Sequence, residues 1–215
     1  MPNHIKSCAF DLEGTVVDVE RAHHYGHIYA ARDVGVTLSL NDCIQQLPHF
    51  IGGPDDEVAK EISALVQQGQ RVDYRDVLAS SKEHYNRLLQ ELSIAPREGF
   101  LDFFSAVQDA GMKYAIGSLT NQDQAMVLLK KSGLLDLFGE KNIVLREHVQ
   151  NLKPAPDVWI ETAKRAGVEP SEQIVFEDSP RGITGAVEVG AYCIGMPTYN
   201  RPDVIYALVN AGAKM

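Results

Sequence analysis

Lys6-Ser7-Cys8-Ala9-Phe10-Asp11-Leu12-Glu13-Gly14-Thr15 is the stretch from which the rest of the chain can be read. Its first five residues predict a short buried strand over 6–10, which delivers Asp11 at its carboxyl end before Gly14 breaks it. Three later segments have the same build, a predicted strand end followed by a polar turn. They are Ile116-Gly117-Ser118-Leu119-Thr120-Asn121, Leu152-Lys153-Pro154-Ala155-Pro156-Asp157 and Phe176-Glu177-Asp178-Ser179-Pro180-Arg181-Gly182. Right-handed crossovers between parallel strands bring such carboxyl ends together, so carboxylates, a hydroxyl and an amine are expected at one edge of a sheet.

Further strands are expected at 113–117, 143–145, 173–176 and 192–195, with helical patterns between them. Phe100, Phe103, Phe104 and Val107 recur at i, i+3, i+4 and i+7 ahead of Gly111. The pattern over 124–131 ends at Gly133 and that over 157–166 at Gly167. Ser179 can cap a helix that begins at Pro180 and closes near Gly190. This alternation predicts an α/β domain built on a doubly wound parallel sheet covered on both faces. Residues 19 to about 92 break the rhythm, with helix patterns at 21–34, 54–68 and 74–92 and no convincing strand. A βα loop usually has roughly 2 to 6 residues, so this stretch reads as an inserted α-helical cap domain. It starts just after the first strand, where open α/β sheets place their ligands, and suits a lid. The expected division is a core of 1–17 and 93–215 and a cap of 18–92.

The 215 residues are 45% hydrophobic and 23% charged, ordinary globular usage that excludes a solvated tail or a fibrous repeat. A net charge of −9 disfavours nonspecific attraction to nucleic acid or anionic lipid, so neither is an expected partner and an anionic substrate must be drawn in locally. No apolar run approaches the roughly 20 residues of a membrane helix. The polar start Met1-Pro2-Asn3-His4 lacks the apolar stretch of a secretory signal. Cys8, Cys43 and Cys193, odd in number and far apart, suit reduced thiols. A cytoplasmic location is expected.

In D-L-E-G-T-V-V-D from Asp11, K-P-A-P-D from Lys153 and F-E-D-S-P-R-G-I from Phe176, in that order, the chain resembles the haloacid dehalogenase-like (HAD-like) superfamily. The likeness is to its phosphatase and phosphomutase branch, with a helical cap inserted after the first strand, and it covers nearly the whole chain. It implies a Rossmann-like HAD core and phosphoryl chemistry. Asp11 would attack phosphorus and form an aspartyl-phosphate, a role open to a carboxylate already ionised near neutral pH. Asp11 and Asp178, with Glu177 and the backbone carbonyl of Glu13, would hold Mg2+ through hard oxygen ligands, offsetting carboxylate–phosphate repulsion. Ser118 and the N–H groups after it would donate to phosphoryl oxygens. Lys153, on a loop stiffened by Pro154 and Pro156, would balance the charge of Asp11 and of the transferring group.

Glu13 departs from the family pattern, which usually has Asp two residues after the nucleophile to protonate the leaving oxygen and then activate water. The extra methylene displaces the carboxyl by about 1 Å, enough to cost about 100-fold if uncompensated. The expectation is that Glu13 keeps the general acid and base role and that the chain is a Mg2+-dependent hydrolase removing phosphate from a small phosphorylated metabolite. The alternatives are a β-phosphoglucomutase-like phosphosugar mutase and a weakly active or non-catalytic metabolite-binding homologue. A mutase needs a cationic cap residue, yet the corresponding-looking stretch Ile51-Gly52-Gly53-Pro54-Asp55-Asp56 offers two acids and no Arg; Arg71, Arg75 or Lys82 would have to substitute. His23 and His27 share a helix face at i, i+4, but no nearby Cys or His pair completes a zinc site, so no metal is expected there. Phe103, Phe104, Trp159 and Phe176 read as packing residues, Cys8 and Cys193 as inert buried thiols, and Arg181 is given no role.

Overall fold

The structure, a computed structural model, describes residues 5–51, 53–67 and 71–214. The polar start over 1–4, Gly52 of the cap stretch, the end of the expected helix 54–68 at Gln68 and Met215 at the end of the expected core lie outside the described residues. The chain divides into two compact units, Met1–Asp18 with Ile94–Met215, and Val19–Ser93. Each crossing falls one residue beyond the boundary drawn from the sequence.

In the first unit the strands are β1 (Ser7–Phe10), β2 (Lys113–Gly117), β3 (Ile143–Val144), β4 (Gln173–Glu177) and β5 (Tyr192–Gly195). They form a parallel sheet in the order β3-β2-β1-β4-β5. β1 and β4 are buried along their whole length, as strands covered on both faces must be, with polar Ser7, Gln173 and Glu177 at their ends. Successive side chains leave a strand on opposite faces. Ala9 therefore joins Trp159, Val175 and Ile183 in one cluster, while Phe10 stacks on Phe176 at 5.0 Å and meets Phe100 and Phe138 edge-on at 5.5 and 6.0 Å. Phe103 touches Phe176 at 5.2 Å but is 42% exposed, so it is a rim residue of this cluster, not the packed one expected from its spacing.

The helices of this unit are α5 (Phe100–Asp109), α6 (Gln122–Lys131), α7 (Leu134–Phe138), α8 (Asp157–Ala166), α9 (Pro180–Glu188) and α10 (Pro202–Asn210). α6 begins two residues earlier than expected, because the Asn121 side chain accepts from the backbone N–H of Gln124 and caps it. Ser179 caps α9 by accepting from Gly182 N at 3.1 Å. α7 and α10 were not anticipated. α7 has five residues, too few to show a period, whereas α10 opens with Pro202 in its first turn, a start signal that was open to reading.

Register sets the functional edge. Phe10 lies opposite Ile116 on β2 and Phe176 on β4, so Asp11, Gly117 and Glu177, each one residue further on, end level. Asp11 N donates to Phe176 O at 2.9 Å and Ser118 N to Val144 O at 2.9 Å, which extends the ladder into the turns. From β1 the chain goes to β2 on one side, and β4 and β5 lie on the other. This reversal is the topological switch point at which open α/β sheets bind ligands.

The second unit is helical: α1 (Glu20–Asp33), α2 (Leu40–Gln46), α3 (Asp55–Ala64) and α4 (Tyr74–Glu91). Its core gathers Ile28, Ala31, Cys43, Phe50, Val58, Ile62 and Val77. α2 was missed, although Ser39 and Asp42 form a reciprocal capping box at its start. α3 stops at Ala64 instead of continuing to 68, with Leu65 already 40% exposed. No helix among the described residues is long and apolar enough to cross a membrane.

Candidate active site

Four turns meet at the carboxyl edge of the sheet. Lys153, from the loop before α8, donates from Nζ to Asp11 Oδ1 and to Glu177 Oε1, both at 2.6 Å. All three residues are buried. The ammonium also lies 4.7 Å from the centre of the Trp159 ring, a cation–π contact that walls it from beneath. Arg181 donates from its guanidinium to the carbonyl of Lys153, so the arginine given no role holds the lysine loop in place. Among the described residues, Asp11, Glu177 and Asp178 each bring a carboxylate oxygen to one place, all within 4.8 Å of one another.

Each carboxylate is held differently. Glu177 is fully buried and engaged on both oxygens, by Lys153 and Ser179 Oγ on one and by Ser179 N at 2.5 Å on the other. It anchors Lys153 and leaves Asp11 and Asp178 as the better placed oxygen donors. Asp178 accepts from Thr15 Oγ1 at 3.2 Å and from Thr198 Oγ1 at 3.1 Å. Glycine is required on both sides of this group. A Cβ on Gly14, whose φ is +78°, would overlap the Asp178 carboxylate, and one on Gly182 would overlap that of Glu177. The Gly14 carbonyl accepts from Arg97 Nη1 at 2.6 Å, which pins the turn that carries Glu13.

Glu13 and Ser118 share a relay. Thr120 Oγ1 donates to Glu13 Oε1 at 2.8 Å, and Ser118 Oγ lies 2.9 Å from Thr120 Oγ1. With the threonine proton committed to Glu13, Ser118 must donate to Thr120 while accepting from Thr120 N at 3.2 Å. Thr120 is inside a quoted segment but carries no role there; a second hydroxyl two residues after Ser118 is its signal. Thr15 stands in the first quoted stretch without a role, and Thr198 and Arg97 lie outside all four segments.

The electrostatics follow from burial. Removal from water pushes Asp11 up to about 7; Lys153 opposes this, and Glu177 and Glu13 add repulsion. Burial disfavours the Lys153 ammonium, yet Asp11 and Glu177 outweigh it and hold Lys153 above its ordinary value. It is therefore a fixed positive charge. Two carboxylates contact that one charge and the Asp178 carboxylate lies within 4.8 Å of them, an imbalance that fits a hard divalent cation taken by oxygen donors.

The profile of the family described as haloacid dehalogenase-like hydrolase matches residues 8–196. The chain belongs to the haloacid dehalogenase-like hydrolases. It is 29% identical over 192 residues to the fructose-1-phosphate phosphatase of Escherichia coli (strain K12), covering 84% of this chain and 90% of that one. It is 28% identical over 203 residues to the validoxylamine A 7'-phosphate phosphatase of Streptomyces hygroscopicus subsp. limoneus, covering 93% and 89%. Among solved structures, a HAD family hydrolase from Deinococcus radiodurans with bound phosphate and sodium superposes with a TM-score of 0.77 at 26% identity, covering 98% of this chain and 89% of that one. The parallel sheet with helices on both faces is thus the HAD-like hydrolase fold.

Proposed function

We propose that this HAD-like hydrolase is a Mg2+-dependent phosphatase that removes phosphate from a small phosphorylated metabolite through an aspartyl-phosphate on Asp11. The observation that carries the reading is the buried Lys153 ammonium bridging Asp11 and Glu177 at 2.6 Å, with the Asp178 carboxylate beside them. The relatives named above, both phosphatases of small phosphorylated compounds, support it.

The donor set fits the metal, since it offers carboxylate oxygen alone and the bare backbone of Gly14 leaves room at Asp178. Asp11 and Asp178, with the Glu13 carbonyl and Glu177 completing the group, would hold Mg2+. When bound, Mg2+ supplies charge that offsets repulsion between Asp11 and the phosphoryl group. Asp11 Oδ forms the new bond to phosphorus as the bond to the leaving oxygen breaks, and Glu13 gives that oxygen its proton. Glu13 then takes a proton from the water that attacks phosphorus, which frees Asp11 and releases phosphate. Lys153, always charged, balances the transferring group, and Thr120 holds Glu13 in line for both proton transfers.

The test is release of phosphate from p-nitrophenyl phosphate and a panel of phosphorylated sugars by the purified chain, with and without Mg2+. Turnover is expected to need Mg2+ and to vanish in Asp11→Asn. Equal rates in Asp11→Asn would refute the reading.

A further inference from the structure

The helical unit holds a second constellation, made of residues other than those of the Asp11 group. His23 and His27 lie one turn apart on α1, and both direct Nε2 at Asp55, the first residue of α3. The distances to Asp55 Oδ1 are 3.0 Å from His23 and 3.6 Å from His27, and the three donor atoms lie within 4.8 Å of one another. Zinc–ligand bonds of about 2.0–2.1 Å at tetrahedral angles place neighbouring donor atoms about 3.3 Å apart. The two observed spacings bracket that value.

The surroundings fit ligation. His27 is buried, and its Nδ1 lies 2.9 Å from Ser81 Oγ on α4. When Nδ1–H donates to that hydroxyl, the Nε2 lone pair is left facing Asp55, the arrangement by which an outer partner fixes the tautomer of a metal-bound histidine. The Tyr85 ring braces His23 edge-on at 5.3 Å, and the two imidazoles meet at 5.0 Å. In the sequence no nearby Cys or His pair offers the two histidines a third ligand at a familiar spacing. α3 supplies it as a carboxylate, 28 residues beyond His27 in the chain.

We propose that His23, His27 and Asp55 form a second metal site, for a d-block divalent cation of the Zn2+ type, with a remaining position open to water or a small anion. Two imidazoles favour Zn2+, Co2+ or Ni2+, whereas the oxygen-only group at Asp11 suits Mg2+. One chain thus presents two sites of opposite preference. The bound cation cross-links α1 to α3 at the start of the latter, joining segments otherwise held there by hydrogen bonds to a shared carboxylate.

The experiment is a Co2+ titration of the full chain, stripped with chelator and then freed of it, carrying Asp178→Asn to weaken the oxygen-only group. One equivalent is expected to give the strong visible absorption of nitrogen-ligated, low-coordinate Co2+. One equivalent of Zn2+ should bleach it, and excess Mg2+ should not. His23→Gln and Asp55→Asn, both at partly exposed positions, should each abolish it with circular dichroism unchanged, and Ser81→Ala should weaken binding by about 10- to 100-fold. Absence of the band at saturating Co2+, its persistence in both ligand variants, or its displacement by Mg2+ would overturn the proposal and leave the three residues as a hydrogen-bonded clamp. Mg2+-dependent turnover of the unmodified chain reads the other site, so either reading can fail alone.

Discussion

At Lys153 one ammonium faces two buried carboxylates, and its loss leaves both without a counter-charge. Removing one partner of a buried ion pair costs about 3–5 kcal/mol, and removing a preorganised stabiliser of the transferring group lowers kcat by about 100- to 1,000-fold. Lys153→Met is expected to show both losses, read by urea unfolding and by phosphate release. Lys153→Arg should recover stability better than rate, because a planar fork does not reproduce a point charge lying between two oxygens. The folded value of Lys153 is raised, so its contribution is fully present below the unfolded value of about 10.4 and fades only as pH rises through the folded one. Its titration therefore leaves the neutral pH range untouched. Thr120 tests positioning: Thr120→Val frees the Glu13 carboxyl, and a misplacement near 1 Å costs about 100-fold. kcat should fall with little change in KM, and Thr120→Ser should restore it. A valine variant turning over at the parental rate would show that Glu13 is positioned by something else.

Elements were legible wherever a local pattern coincided with a tertiary demand. β2 and β5 and the helix α8 run over the expected residues, because short apolar runs bounded by turn signals mark strands and Gly167, at φ +70°, ends α8 where only glycine is easy. The motif residues were legible for a related reason: Asp11, Glu177 and Asp178 sit at or just after a strand end, and Lys153 opens a proline-stiffened turn. Arg97, Thr15 and Thr198 were not, since what makes them part of the site is a contact 20 to 163 residues away in the chain. α2 was hidden by its length of 7 residues. The contact between α1 and α4 was equally invisible, and a pH effect is expected from it. Asp33, at the end of α1, accepts from Ser80 Oγ and His84 Nε2, both at 2.7 Å, and Ser80 first and His84 second hold its carboxyl below the usual range. A depressed folded value means stability that is present above the unfolded value of about 3.9 and lost as pH falls through the folded one. Asp33→Asn should therefore melt below the parent at pH 7 and converge with it in acid. The effect should be small, because the carboxylate is half exposed. A constant offset at every pH would assign the loss to packing.

Across the whole molecule, two separately cored units imply two cooperative transitions that the three cysteines can report. Cys8 and Cys193 sit on β1 and β5 of the larger unit, and Cys43 sits on α2 of the helical one. All are at most 2% exposed. Burial pushes Cys8 and Cys193 up to about 12 and Cys43 up to about 11, so none supplies the thiolate that reacts with a disulfide reagent until its surroundings open. No thiol should label quickly in the native protein at neutral pH. In mild denaturant Cys43 should react first, because it lies on a short helix in the smaller core, and small cores have the least buried surface to hold them closed. Cys8 and Cys193 should follow together, since their strands join the one sheet through β4. Peptide mapping of the labelled chain against denaturant concentration gives the order directly. Three identical labelling curves would mean that the two units unfold as one.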